Sequence, residues 1–132
     1  YILNKKIKLL EEFRPFAPIV LREEVSNFFH FKGESPYMLY ACKVKKEKKK
    51  FIPAVVHLDN TARIQTVTSN SNKKIYNLLK MFQKKTKVPV LINTSFNIRN
   101  EPIVETPDHA INCFLNTKID ALYLQDYIIE KI

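Results

Sequence analysis

The sequence predicts a two-layer α/β domain, and three stretches carry that prediction. Residues 61–67 (TARIQTV) alternate and are rich in β-branched side chains, the pattern of a half-buried strand. Residues 72–85 place Ile75, Leu78, Leu79 and Phe82 on one helical face behind Asn72, a residue suited to cap the first turn. Residues 88–92 (VPVLI) read as a strand running into the polar sequence Asn93-Thr94-Ser95-Phe96-Asn97. Strands interleaved with helices in this way build a sheet with helices packed against it.

The other elements follow in order. Residues 4–12 suit a short helix that Pro15 stops. Residues 16–22 are extended, and residues 23–29 open with acids and turn helical. Residues 37–44 (YMLYACKV) read as a buried strand, and the lysine run after it as an exposed, mobile connection. Thr106-Pro107 opens another helix, with Thr106 as the cap and Ala110, Cys113 and Phe114 on its buried stripe. Residues 121–124 and 127–129 are closing strands. Gly33 is the only glycine, so turns needing positive φ are expected to fall largely to Asn or Asp, as at Asp59-Asn60 and Arg99-Asn100.

At 132 residues the chain suits one domain, 1–132, with enough length for a core and too little for two. Its hydrophobic share of 45% and charged share of 27% exclude a disordered or collagen-like chain. No apolar run approaches the roughly 18 residues a membrane-spanning helix needs. Lys5, Lys6 and Lys8 break up any signal-peptide core. A start at Tyr1 suggests an excerpt of a longer protein. Cys42 and Cys113 lie far apart among apolar neighbours, and His30, His57 and His109 lack ligand spacing, so free buried thiols in a reducing cytoplasm are expected.

Twenty-two basic residues against thirteen acidic ones leave a net charge of +9. The segment from Lys43 to Lys50 supplies +5 of it, so the excess is one loop and not a groove-wide pattern. A solvated loop explains that better than RNA binding. The arginines are more telling, because only Arg14, Arg22, Arg63 and Arg99 exist and arginine is the cation suited to forked phosphate contacts.

Four segments hold polar groups that a plain core or surface does not require: Lys8 with FRPFAP, HLDNTAR from His57 to Arg63, NTSFN from Asn93 to Asn97, and RNEPIV from Arg99 to Val104. A strand feeding a loop of Ser, Thr and Asn can cradle an oxyanion or phosphate. Each segment alone has a structural explanation. Arg14 suits a surface position before a proline turn, and Arg63 can pair with Asp59. His57 and Asp59 suit turn stabilisation, and Phe28, Phe29 and Phe31 suit the core better than base stacking.

Together, FRPFAP, HLDNTARIQTV, PVLINTSFNIRNEPIV and FLNTKIDALYL run collinearly over nearly the whole chain and resemble the C-terminal domain of the NodU/TobZ-type carbamoyltransferases. That resemblance implies a YrdC-like fold, a twisted open mixed sheet with flanking helices and a cationic concave face. Ser95-x-Asn97 is similar to the SxN element of YrdC-like proteins. The implied activity is formation of carbamoyl-adenylate from ATP, with Mg²⁺, and carbamoyl phosphate, releasing pyrophosphate. A larger, iron-holding ASKHA-type domain preceding this one in cis then passes the carbamoyl group to an acceptor hydroxyl. That domain is not part of this sequence. The acceptor stays open among sugar, antibiotic and nodulation-factor types.

By the resemblance, Lys8, Arg14, Arg63 and Ser95 hold the phosphates and carbamoyl group, Thr94 and Asn97 add nucleotide contacts, and no residue of this domain binds a metal. The first four are expected to line one crevice. Leu10 stands where the family usually has Arg, and Asn60 and Asn100 stand where it often has Gly. Leu10 and the lysine loop favour an alternative, a catalytically idle YrdC-like module binding nucleotide or RNA.

Overall fold

Four strands form the main sheet: β1 (Ala17–Leu21), β2 (Tyr40–Lys43), β3 (Thr61–Val67) and β4 (Val90–Asn93), in the order β2-β3-β1-β4. β1 runs parallel to β3, while β4 is antiparallel to β1 and β2 antiparallel to β3. The sheet is therefore open and mixed. The computed structural model describes residues 16–98 and 101–131, in two compact units that divide between Thr94 and Ser95. The expected helix over residues 4–12 and the Arg99-Asn100 turn lie outside the described residues.

Register decides what each face of the sheet carries. Ile19 and Leu21 stand opposite Gln65 and Val67, Ala17 and Ile19 opposite Asn93 and Leu91, and Ala41 opposite Arg63. Successive side chains alternate, so Ala62, Ile64 and Thr66 share a face with Val20, Val90 and Cys42, and all six are buried. The same unit buries Val25 and Phe28 of a short helix α1 (Val25–Phe28), followed by Phe29 and Val44, which form a bridge.

The opposite face is divided in two. Helix α2 (Lys73–Thr86) covers one end, where Leu79 packs with Leu21 and Val67, and Ile19, Ile75, Tyr76 and Leu91 close around them. Leu79 has no exposed surface, which contributes about 1.5–3 kcal/mol. Asn72 caps the helix as its sequence predicts, accepting from the Ile75 N–H at 3.1 Å. The other end of this face carries Arg63, Gln65 and Asn93.

Several expectations are corrected. Leu78 is 51% exposed and lies at the margin of the packed stripe, because α2 packs on the strands through Ile75, Tyr76 and Leu79. β2 covers only the second half of residues 37–44 and is an edge strand in which Cys42 alone is buried. The lysine run folds into a 3-10 helix, Lys46–Phe51. There the Lys48 ammonium sits 5.1 Å from the centre of the Phe28 ring, and Lys49 donates to Asn60 Oδ1 at 2.7 Å. Phe28 and Phe29 are core as expected, whereas Phe31 is half-buried and stacks on Tyr40 with ring centres 5.6 Å apart.

Positive φ among the described residues falls at Gly33 and Asn60, and also at Met38, Lys87 and Gln125, which are neither Asn nor Asp. Lys87 ends α2 in the left-handed region, where its N–H reaches the Gln83 carbonyl. Gln125 opens the two-residue turn of a hairpin, where a positive φ matches the twist of the strands. Tertiary position overrides residue preference at these sites.

In the second unit, helix α3 (Pro107–Leu115) and the hairpin β5 (Ala121–Leu124) and β6 (Tyr127–Glu130) build their own core. Ala110, Phe114 and Leu122 form its centre, with Phe96, Val104 and Ile119 packed against them. Thr106 caps α3 by accepting from the His109 N–H at 3.2 Å, and Ala110, Cys113 and Phe114 are buried as the sequence predicts. The fold is mixed α/β, with an open sheet, a two-stranded sheet and flanking helices.

Candidate functional site

Arg63 lies in the middle of β3 because the strand alternates: Ala62 and Ile64 face the core, so Arg63 and Gln65 face the other way. Arg63 is exposed, and no hydrogen bond or ion pair engages it among the described residues. Its expected alternative partner is committed elsewhere. Asp59 accepts from the Thr61 hydroxyl at 2.8 Å and from the Thr61 N–H at 3.0 Å. These bonds, with a smaller contribution from His57, hold the Asp59 carboxyl below its ordinary range. His57 and Asn60 complete the turn through a 2.9 Å backbone bond, with Asn60 at φ +67°. His57 and Asp59 are turn residues.

Beside Arg63 the same face carries a polar chain. Asn93 Nδ2 donates to Gln65 Oε1 and makes a long contact with the Met38 sulfur, and Gln65 Nε2 donates to the Pro36 carbonyl at 2.8 Å. Both amides are thereby fixed in orientation. Lys43 lies on this face too, one step diagonal from Arg63 in the β2–β3 ladder. Lys43, expected as the start of the exposed lysine loop, is instead the last residue of β2, and Gln65 has no role in the motifs read from sequence. The alternation of TARIQTV that marks the strand also puts Gln65 on Arg63's face, and that signal was available.

The loop after β4 begins with Thr94, which is exposed. In the second unit, the Ser95 hydroxyl donates to Asn97 Oδ1 at 2.7 Å, and Asn97 Nδ2 donates to the Glu101 carbonyl at 2.9 Å. The Val104 N–H closes the loop on the Phe96 carbonyl at 2.9 Å. Asn97 is therefore a brace that orients Ser95, a role its spacing alone did not reveal. Lys8, Arg14 and Leu10 lie outside the described residues; Arg63 and Thr94 belong to the first unit, Ser95 and Asn97 to the second.

Cys42 and Cys113 are buried and not joined in a disulfide, and burial pushes the Cys42 thiol up, away from the reactive thiolate. Among the described residues no group of three or more His, Cys, Asp or Glu could hold a metal ion. No helix among them is long and apolar enough to cross a membrane.

A family model described as the carbamoyltransferase C-terminus matches residues 1–131. The chain is 41% identical to Nodulation protein NolNO of Sinorhizobium fredii, over 98% of this chain and 19% of that protein. It is 37% identical to Nodulation protein NolO of Bradyrhizobium diazoefficiens, over 98% of this chain and 24% of that one. Nodulation protein U of Rhizobium tropici is 40% identical over 82% of this chain and 18% of its own length. The chain thus spans at most about a quarter of these relatives. Its match over residues 1–131 makes it a member of the carbamoyltransferase C-terminus family.

Proposed function

We propose that this chain is the carbamoyl-adenylate-forming part of an O-carbamoyltransferase. The observation that supports the reading best is Arg63, an exposed guanidinium without a partner among the described residues, beside the oriented amides of Gln65 and Asn93. An uncommitted forked cation next to fixed neutral donors suits a phosphate oxygen.

The proposed reaction joins two anions. A carbamate oxygen attacks the α-phosphorus of ATP, a new P–O bond forms, and the bond to the β-phosphate breaks to release pyrophosphate. For carbamate to be the attacking group, carbamoyl phosphate must first yield its phosphate to water. No protein nucleophile is required. The chain's task is to hold the reactants in line and to balance charge on the non-bridging oxygens. Arg63 and Arg14 serve as forked donors, Lys8 as a point charge, and Thr94, Ser95 and Asn97 as neutral hydrogen-bonding groups. Mg²⁺ arrives with ATP as part of the substrate.

In this reading an iron-holding transfer domain in cis receives the carbamoyl group and passes it to an acceptor hydroxyl. The setting is cytoplasmic, in keeping with two buried cysteines that form no disulfide. The test is pyrophosphate release by the natural protein that carries this chain. Release is expected only with ATP and carbamoyl phosphate both present. Release without carbamoyl phosphate overturns the reading. So does no release at all alongside tight, steeply salt-dependent RNA binding, which would establish the idle binding module instead.

A further inference from the structure

Away from the face that carries Arg63, the first unit holds an open pocket of about 340 Å³, lined by Ser26, Phe29, His30, Phe31, Lys32 and Lys45. That volume is in the range of small-molecule sites, roughly 300–1,000 Å³. We propose that this pocket binds a phosphate group, with the Lys32 and Lys45 ammonium groups as its cations and Ser26 and His30 as further hydrogen-bonding partners.

Three observations carry the proposal. The first is the charge balance of the lining, which has two lysines, an imidazole and a hydroxyl but no carboxylate. Three acids close by in sequence are engaged elsewhere, Glu34 with Arg22 at 3.8 Å, Glu23 with Lys80 at 2.9 Å and Glu24 with Asn27 at 2.8 Å, and Glu47, two residues from Lys45, is not part of the lining. The second is a contrast between neighbouring lysines. Lys48 rests over the Phe28 ring and Lys49 is bonded to Asn60, whereas Lys32 and Lys45 have no ion pair or hydrogen bond from their ammonium groups among the described residues.

The third observation is the rigidity of the walls. Phe29 and Val44 form an antiparallel bridge, the His30 N–H donates to the Lys43 carbonyl at 2.8 Å, and the Lys45 N–H donates to the Phe28 carbonyl at 2.9 Å. The segments bearing His30 and Lys45 are therefore tied together before any ligand arrives, with Lys32 two residues past His30. A cation set on a fixed backbone binds an anion with less ordering cost than a lysine on a mobile loop. The half-buried Phe31 ring adds an apolar wall, so the phosphate can be free or part of a nucleotide.

The test is an NMR titration of the protein with inorganic phosphate and, separately, with AMP, at fixed ionic strength. Amide shifts are expected at residues 26–32 and 43–45. Lys32→Gln with Lys45→Gln should weaken binding tenfold or more. Lys46→Gln with Lys50→Gln removes the same charge from the adjoining 3-10 helix and should change it less than twofold. AMP binding more tightly than phosphate, with a shift at Phe31, makes a nucleotide the source; equal affinities make it free phosphate. Both results support the pocket. Equal weakening by the two double variants would show diffuse charge attraction and overturn it. Shifts that vanish in Arg63→Gln and persist in Lys32→Gln with Lys45→Gln would overturn it too, while leaving the Arg63 site standing.

Discussion

Asn93, the last residue of β4, donates its side-chain N–H to Oε1 of Gln65 on β3, over β1, the strand that separates them. On β1, Ala17 lies opposite Asn93 and Ile19 opposite Gln65. The result is a fixed polar strip beside Arg63. It is built from three strands distant in sequence.

That strip yields the first prediction. Gln65→Ala leaves Asn93 Nδ2 and the Pro36 carbonyl without their partner and should lower unfolding stability by about 1–3 kcal/mol. Gln65→Glu keeps an acceptor for Asn93 and should lose less. It also places a negative charge beside Arg63, so under the proposed reaction it should suppress pyrophosphate release more than Gln65→Ala does. Urea midpoints and release rates on both variants check this. Equal rates in the two would remove Gln65 from the site.

Arg63→Ala should separate function from stability. Arg63 is exposed, so its loss should change stability by no more than about 0.5 kcal/mol. A lost charge-assisted phosphate contact costs about 1.5–3 kcal/mol, a roughly ten- to hundredfold fall in pyrophosphate release. Arg14→Ala should behave alike, and Ser95→Ala should cost less because its hydrogen bond is neutral. Leu10→Arg should raise the rate if that position faces the phosphates. A full rate in Arg63→Ala would sink its proposed role.

Asn60 joins the turn before β3 to the lysine 3-10 helix through Lys49. At φ +67° an alanine is strained, so Asn60→Ala should cost about 1–2 kcal/mol. Asn60→Gly should cost less, since glycine accepts the backbone and only the Lys49 contact is lost. Thermal unfolding of the two variants gives the order. A cost for Gly above that for Ala would contradict the strain argument.

Glu23 links the start of the chain's helical turns to α2. Burial raises its pKa, but hydrogen bonds from Lys80 and Tyr76 outweigh that effect and leave it below the ordinary value. Tyr76 donates at 2.7 Å and Lys80 at 2.9 Å. With the folded pKa depressed, the stabilisation is present above the unfolded value near 4.5 and is lost as pH falls through the lower, folded value. The pair is substantially exposed, so the effect should stay under about 1 kcal/mol. Glu23→Gln should therefore be less stable than the parent at pH 7, and the gap should close as pH falls below the depressed, folded pKa. A gap that persists at low pH would show that the contact does not depend on charge.

Much of the chain was legible beforehand because its local signals agree with its tertiary fate. The alternation of 61–67, the Asn72 and Thr106 caps and the stripe of Ala110, Cys113 and Phe114 all reappear as read. In each case one face is apolar and the cap lies beside it in sequence, so the information is local. Leu78 failed that logic because helical spacing gives the centre of a stripe better than its margin. Residues 37–44 failed it because an apolar run does not say whether a strand lies at an edge.

Local pattern thus set most of the described elements, their caps, the buried cysteines and the family motifs. The tertiary structure decided which of the polar residues meet. Arg63 could have paired with Asp59 four residues away, but Thr61 claims that carboxylate through bonds that close the turn. Gln65 and Asn93 touch across β1, which lies between their strands, and Lys32 and Lys45 line one pocket beside the bridge between Phe29 and Val44. Such meetings depend on strand order and register, which no single segment encodes.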